Sequence, residues 1–358
     1  MSLQKLDIYN LRNIQKASLE PSAEINLITG ENGSGKSSLL EAIFILGRAR
    51  SFRATNIKQV IQFNYQHLIV SGQSNYNNGS VSHLGIQLDG KRCDIRINQQ
   101  NSCKSELAYS FPVLLIHPKS YKLLDAGPQI RREFMDWGVF NSEEKFLVCW
   151  RKYKKVLQQR NSLLKTKKVN QINVWNTELV QYGIIVSKYR KQYLEKLQPI
   201  FFEISHFFLD FKKIELNYLS GWDDSIDFYR ILEQDLNKDL RYGFTHSGPH
   251  RSDFSIFVDN RLAKDFVSRG QLKLLMLALK LAQVKLINTE KDNFVCVLID
   301  DLTAELDVPN KAKLLNYLSQ LNCQVFMSTT ELTNFGELSD LENYKVFHVE
   351  HGEVQLQT

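Results

Sequence analysis

The apolar positions of the first hundred residues recur with a two-residue period. Alternation over Leu3 to Tyr9, Tyr65 to Ser74, Ser80 to Asp89 and Lys91 to Asn98 predicts half-buried strands, and Glu24 to Thr29 predicts one more. Asp89-Gly90 is a tight hairpin turn between two of these runs. Between the second and third strands the period changes. Leu39, Leu40, Ile43 and Leu46 share one face of a helix over Lys36 to Leu46, with Gly47 as its expected stop. From about Tyr121 to Leu240 the pattern is helical throughout, with long polar segments and the aromatics Trp150, Tyr153, Trp175, Tyr182, Tyr189 and Tyr193 interleaved. The last third alternates again: strand Phe254 to Val258, helix Ser268 to Leu286, strand Phe294 to Asp300, helix Asn310 to Leu321, and strands Gln324 to Ser328 and Tyr344 to Val349. Both ends therefore predict one α/β domain around an inserted helical lobe, with boundaries at 1–120, 121–245 and 246–358.

Composition narrows the class without changing that picture. At 358 residues, 43% hydrophobic and 23% charged, the chain can fold on its own apolar cores, and neither disorder nor a fibrous repeat accounts for it. No apolar run is long enough to span a bilayer, and the first residues lack the pattern of a signal peptide, so a cytoplasmic protein with no membrane partner is expected. Cys93, Cys103, Cys149, Cys296 and Cys323 are an odd set with no CxxC pair, which reads as scattered buried thiols. The net charge of +6 says little, but its distribution says more. Residues 145–200 carry thirteen basic side chains against two acids, a local +11, whereas 201–240 carry nine acids against four bases. The first stretch is a candidate surface for a polyanion; a solvated helical face is the alternative.

Three motifs carry chemistry. Gly30-Glu31-Asn32-Gly33-Ser34-Gly35-Lys36-Ser37 fits G-x-x-x-x-G-K-[ST], the phosphate-binding P-loop. Its glycines let backbone N–H groups approach an anion, Lys36 reaches the terminal phosphates, and Ser37 is a ligand for Mg²⁺. ATP and Mg²⁺ are the cofactors this implies. Val295 to Ile299 is an apolar run ending in Asp300 and Asp301, where open α/β sheets bind ligands. Asp300 is the second candidate metal ligand and Asp301 the candidate for orienting the attacking water. Ser268-Arg269-Gly270-Gln271 opens a helix with a capping box, whose serine and glycine offer another anion site.

The order of these pieces, with Ala304-Glu305-Leu306-Asp307 after the aspartates as a D-loop, resembles the ABC-type ATPases. Leu11-Arg12-Asn13, LGRARSFR at 46–53, GPQIRREFMDW at 127–137, Gln159-Arg160-Asn161, GPHRSD at 248–253 and SRGQLKLL at 268–275 make the whole chain similar to the RecF family, relatives of SMC heads. SMC proteins and zinc-hook ATPases carry long coiled arms, which the length and the missing CxxC exclude.

The resemblance implies an ABC-type P-loop head and a head-to-tail homodimer. Each ATP would lie between Lys36 and Ser37 of one copy and Ser268 and Gly270 of the other. It further implies weak, DNA-dependent ATPase activity, binding to single-stranded or gapped and junction DNA, RecR and RecO as partners, and work in recombinational repair, replication restart, recombinase loading and SOS induction. A transporter-type ATPase subunit and an ATP-stabilised scaffold are the alternatives. Two departures from the pattern favour slow, switch-like hydrolysis: Asp301 stands in place of a glutamate, and Met327-Ser328-Thr329-Thr330 in place of a switch histidine. Arg12 and Asn13 fall where related heads approach nucleotide, with a solvated surface pair as the alternative reading. His250 and Arg251 read either as phosphate contacts or as a structural turn, and His117 takes no role.

Overall fold

A computed structural model describes residues 2–76, 79–90, 92–290, 295–301, 306–332 and 343–357. Phe294, at the expected start of the acidic strand, and Ala304 and Glu305 of the expected D-loop lie outside them. The chain forms two compact units, one from residues 1–120 with 287–358 and the other from 121–286.

In the first unit two sheets enclose a helix. One sheet is antiparallel, in the order Ile14–Leu19, Ser2–Leu11, His67–Asn75, Val81–Asp89, Cys93–Ile97 and Gln100–Asn101. The other runs Glu353–Gln357, Tyr344–Glu350, Ile25–Thr29, Val325–Ser328, Cys296–Ile299 and Val113–Ile116, parallel except for its first strand. The helix Lys36–Arg48 is buried along almost its whole length. Its Leu39, Ile43 and Leu46 join Leu6 and Ile8 of the antiparallel sheet and Leu298 and Phe326 of the parallel sheet in one apolar cluster. Burial on two sides explains why the parallel strands read as unbroken apolar runs.

Gly47 does not stop this helix, which continues to Arg48 and ends where Ala49 turns left-handed at φ 47°. A Cβ on Gly47 would lie 2.3 Å from Val113 Cγ2 and 2.7 Å from the Phe111 carbonyl, so the glycine permits close packing of helix on strand.

The second unit is mainly helical. Its longest helices are Pro128–Ser142, Phe146–Thr166, Ile172–Phe208 and the one that begins at Arg269. It also holds a three-stranded antiparallel sheet, Arg261–Leu262, Asp253–Val258 and Ile214–Leu219. The strand Asp253–Val258 therefore pairs within this unit and does not join the parallel sheet, and the change of unit falls at 286/287 where the sequence pattern put it at 245/246. Its partner Ile214–Leu219 escaped notice because short strands pair at long range and this one follows a run of helix. Among the described residues no helix is long and apolar enough to cross a membrane.

Candidate functional site

The strand Ile25–Thr29 delivers the chain into Gly30 to Gly35, and the helix Lys36–Arg48 takes it away. Gly30, Gly33 and Gly35 have φ of 142°, 84° and 127°, a conformation that side chains resist. The helix starts with no side-chain cap and no acid in its first turn, so its N–H groups and positive dipole end are left for an anion.

Lys36 is buried, and its Nζ donates to the carbonyls of Gly30 at 2.7 Å and Glu31 at 2.9 Å, lying across the loop. Burial pulls its ammonium below the ordinary lysine value, while Asp301 and Asp300 pull it back up. Ser34 Oγ is buried without a hydrogen-bond partner. Glu31, Asn32 and Gly33 form the exposed lip.

Residues 263 positions apart meet here: the Ser37 hydroxyl donates to Asp300 Oδ1 at 2.9 Å. The Ser328 hydroxyl donates to the same oxygen at 2.9 Å and accepts the backbone N–H of Asp301 at 2.9 Å. Burial raises the Asp300 carboxyl above its usual range, against the hydrogen bonds from Ser328 and Ser37. Asp301 turns with φ 50°, a strained value for aspartate, and lines an open cavity of about 440 Å³ together with Lys36, Ser37, Ser328, Arg12, Asn13 and Arg53. A hydroxyl and a carboxylate sharing one hydrogen bond at the mouth of an anion loop are hard oxygen donors that fit Mg²⁺. The orphan Ser34 hydroxyl and the bare helix start fit phosphate.

Sequence reasoning placed Asn13 near the nucleotide but missed its bracing of the loop, and it gave no role to Gly352, Ser328 or Arg53. Asn13 Nδ2 donates to the Ser34 carbonyl at 2.7 Å, its Oδ1 accepts from Ser38 at 2.9 Å, and the Gly352 N–H donates to the same Ser34 carbonyl at 2.9 Å. The loop is thus braced from residue 13 and from the His351-Gly352 turn, which is left-handed at φ 49° and 87°; the glycine after His351 was the signal in the sequence. Ser328 was noted only as a position without histidine. Arg53 reaches the cavity from a turn fixed by Ser51 Oγ, which accepts the N–H groups of Arg53 at 3.0 Å and Ala54 at 2.7 Å and itself bonds Glu41. Arg12 is no solvated surface pair: its guanidinium grips the fully buried Glu41 at 2.9 and 3.2 Å.

The other expected residues lie in the second unit or outside the cavity. Ser268 Oγ accepts the Gln271 N–H at 3.2 Å and Gln271 Oε1 accepts the Ser268 N–H at 2.9 Å, a reciprocal capping box with Ser268, Arg269 and Gly270 exposed. His250 is bound on both nitrogens, to the Tyr153 hydroxyl at 2.7 Å and the Thr245 carbonyl at 2.9 Å, so it belongs to the fold. Its pKa is lowered to about 4, chiefly by burial. His117 accepts the Lys119 N–H at 3.2 Å and closes a turn.

Of the thirteen basic residues of 145–200, Arg160 and Arg190 are internal, paired with Asp239 and Asp136. The other eleven are exposed. Cys103 is exposed and Cys93 and Cys149 are half-buried, so only Cys296 and Cys323 are the buried thiols expected.

A P-loop entering a helix between two sheets, with an acidic strand end beside it, defines a P-loop head of the RecF/RecN/SMC class, and the family described as "RecF/RecN/SMC N terminal domain" matches residues 2–355. The DNA replication and repair protein RecF of Pseudomonas aeruginosa strain LESB58 is 39% identical over 364 residues, covering 100% of this chain and 98% of its own. That of Shewanella denitrificans is 39% identical over 357 residues, 99% of each chain. The solved structure of the recombination mediator protein RecF with ATP in the RecFOR pathway superposes with a TM-score of 0.88 at 27% identity, over 100% of this chain and 98% of that one. An Smc head domain from Pyrococcus furiosus shares the fold at a TM-score of 0.60 and 16% identity, over 99% and 96% of the two chains. The chain belongs to the RecF family. The transporter-type alternative gives way to that membership.

Proposed function

We propose that this protein is an ATP-dependent DNA-binding switch of recombinational repair and replication restart, in keeping with relatives named as DNA replication and repair proteins. The observation that carries the reading is the meeting of Lys36, Ser37, Asp300 and Asp301 around one phosphate-sized mouth. Gly30 to Ser37 hold the triphosphate, with Lys36 leaving its two carbonyls for the terminal phosphates. Ser37 and Asp300 hold Mg²⁺, which when bound neutralises phosphate charge. Asp301 orients the attacking water. Its carboxylate is one methylene shorter than a glutamate, which slows hydrolysis to the pace of a release switch. Arg53 and Arg12 add positive charge to the same cavity.

The exposed helix tip at Ser268 and Gly270 supplies the second half of the site to another copy of the chain. ATP then assembles a homodimer, and loss of the γ-phosphate releases it. The eleven exposed basic residues of 145–200 hold the DNA backbone at gapped, junction or single-stranded sites, and RecR and RecO join there to load recombinase and promote SOS induction. In domain terms, 1–120 and the carboxy-terminal strands build the ATPase head and the helical lobe is its insertion.

Sedimentation in the presence of ADP, ATP and a non-hydrolysable analogue tests this. A dimer is expected with ATP and the analogue alone, and Ser268→Arg is expected to abolish it without loss of ATP binding. A chain that stays monomeric at saturating ATP refutes the mechanism. Single-turnover phosphate release separates the switch from an ATP-stabilised scaffold.

A further inference from the structure

Two family-like segments, 127–137 and 248–253, meet inside the second unit in a cluster of four arginines and two aspartates. Arg131 is bidentate to Asp253, at 2.6 and 2.8 Å. Arg190 is bidentate to Asp136 at 2.8 and 3.0 Å and also donates to the Pro249 carbonyl and the Ser252 hydroxyl. Asp136 further accepts from Trp150 Nε1 at 3.1 Å. Both carboxylates are thereby spent. Arg132 and Arg251 make no direct ion pair with a carboxylate among the described residues. Arg132 Nη1 donates to the Ser252 carbonyl at 3.0 Å, which pins it one residue from Arg251. Arg251 is exposed, with its guanidinium 5.4 Å from the Phe244 ring centroid.

Four guanidinium groups against two carboxylates leave two positive charges over, one partly withdrawn from water. Burial and then Arg190 push the Arg132 guanidinium below its ordinary value, and Arg251 adds to that repulsion, while Asp253 and Asp136 oppose it. Among the described residues these two charges meet a carbonyl and an aromatic ring but no counter-ion of their own. A half-buried cation held beside like charges is unfavourable unless an anion answers it, and the planar forks of arginine suit phosphate oxygens. His250 is not part of the answer, since both its nitrogens are engaged.

We infer that Arg132 and Arg251 form a phosphate-binding pair in the second unit, separate from the P-loop and outside the lysine-rich 145–200 segment. The phosphate comes either from a nucleic-acid backbone or from a nucleotide presented by a second copy of the chain. The inference rests on the proposed function for these two sources, and the test separates its failure from that of the reading.

Full-length Arg251→Gln, Arg132→Gln and the double variant are compared with the parent in two arms. In the first, binding to a fluorescent gapped duplex is titrated at several salt concentrations with ADP present. In the second, ATP-driven dimerisation is followed by sedimentation without DNA. A backbone phosphate is indicated if each single variant flattens the log K against log salt slope by about 1 and weakens binding roughly three- to tenfold, with dimerisation unchanged. A nucleotide phosphate is indicated if the slope is kept and the ATP concentration for half-dimerisation rises by a similar factor. Arg132→Lys, which keeps the charge and lightens any folding defect, is expected to recover most of either loss. Parent-like behaviour of Arg251→Gln in both arms overturns the pair. A parent chain that neither binds DNA nor dimerises refutes the functional reading, and the pair with it.

Discussion

Asp300 Oδ1 accepts two hydroxyls at once, and Ser328, one of the donors, also holds the backbone of Asp301. Removing the Ser328 hydroxyl takes away one of the two bonds that orient the Asp300 carboxylate, the proposed metal ligand, and releases a strained neighbour. Ser328→Ala is therefore expected to raise the Mg²⁺ needed for half-maximal binding of a fluorescent ATP by about three- to tenfold, the ~1 kcal/mol of one buried hydrogen bond, and Ser328→Thr to restore it. Unchanged Mg²⁺ dependence removes Ser328 from the site. A second residue sets an acid limit on the fold. His250 is neutral in the native state, with a pKa of about 4, and would titrate near 6.5 in the unfolded chain. Its contribution is fully present above pH 6.5 and is lost as the pH falls towards 4, because only the unfolded chain takes up the proton. Denaturant melts at pH 7.5 and 5 are expected to show about 2 kcal/mol of lost stability in the parent. The loss should be smaller in His250→Gln. Equal losses would show that other groups dominate.

At the scale of elements, the P-loop helix illustrates what the sequence could and could not tell. Its apolar spacing, its glycine-rich entry and the acidic strand end are local patterns, and all were legible, as was the capping box of Ser268 and Gln271. Gly47 was misread because a glycine that ends a helix and one that admits a neighbouring strand look alike in sequence, and the neighbour, Val113, is distant along the chain. Gly47→Ala tests the packing account. Helix propensity alone predicts a gain of ~1 kcal/mol, whereas a methyl driven into the Phe111 carbonyl predicts a net loss of about 1–3 kcal/mol. A fall in the melting temperature is expected; a rise would mean the strand yields. The strands Ile14–Leu19, Val113–Ile116 and Ile214–Leu219 were invisible for the same reason, since their partners are fixed by pairing and not by their own residues. Arg53, Ser328 and the brace from Asn13 and Gly352 belong to this group: each enters the site through a turn whose geometry only the folded chain defines.

Over the whole molecule, basic charge divides into two kinds that composition cannot separate. Arg160 and Arg190 are interior struts; losing Arg160 strips the fully buried Asp239 of its guanidinium partner and leaves it only His246, so Arg160→Ala is expected to destabilise the lobe by roughly 3–5 kcal/mol. Lys152, Lys155 and Lys165 are exposed, and their joint replacement by glutamine is expected to leave melting unchanged while lowering the salt slope of DNA binding by about 3. An unchanged slope moves the DNA elsewhere. The brace on the Ser34 carbonyl has an effect in time as well as in space. Its glycine leaves the ribosome roughly 15–60 s after the loop it holds, at ordinary elongation speeds. A nascent or prematurely terminated chain ending before Tyr344 would thus present the whole P-loop motif yet hold it only from Asn13. Such fragments are expected to bind fluorescent ATP far more weakly than the 358-residue chain, so translation itself delays the readiness of the nucleotide loop until the hairpin of Tyr344–Glu350 and Glu353–Gln357 is made.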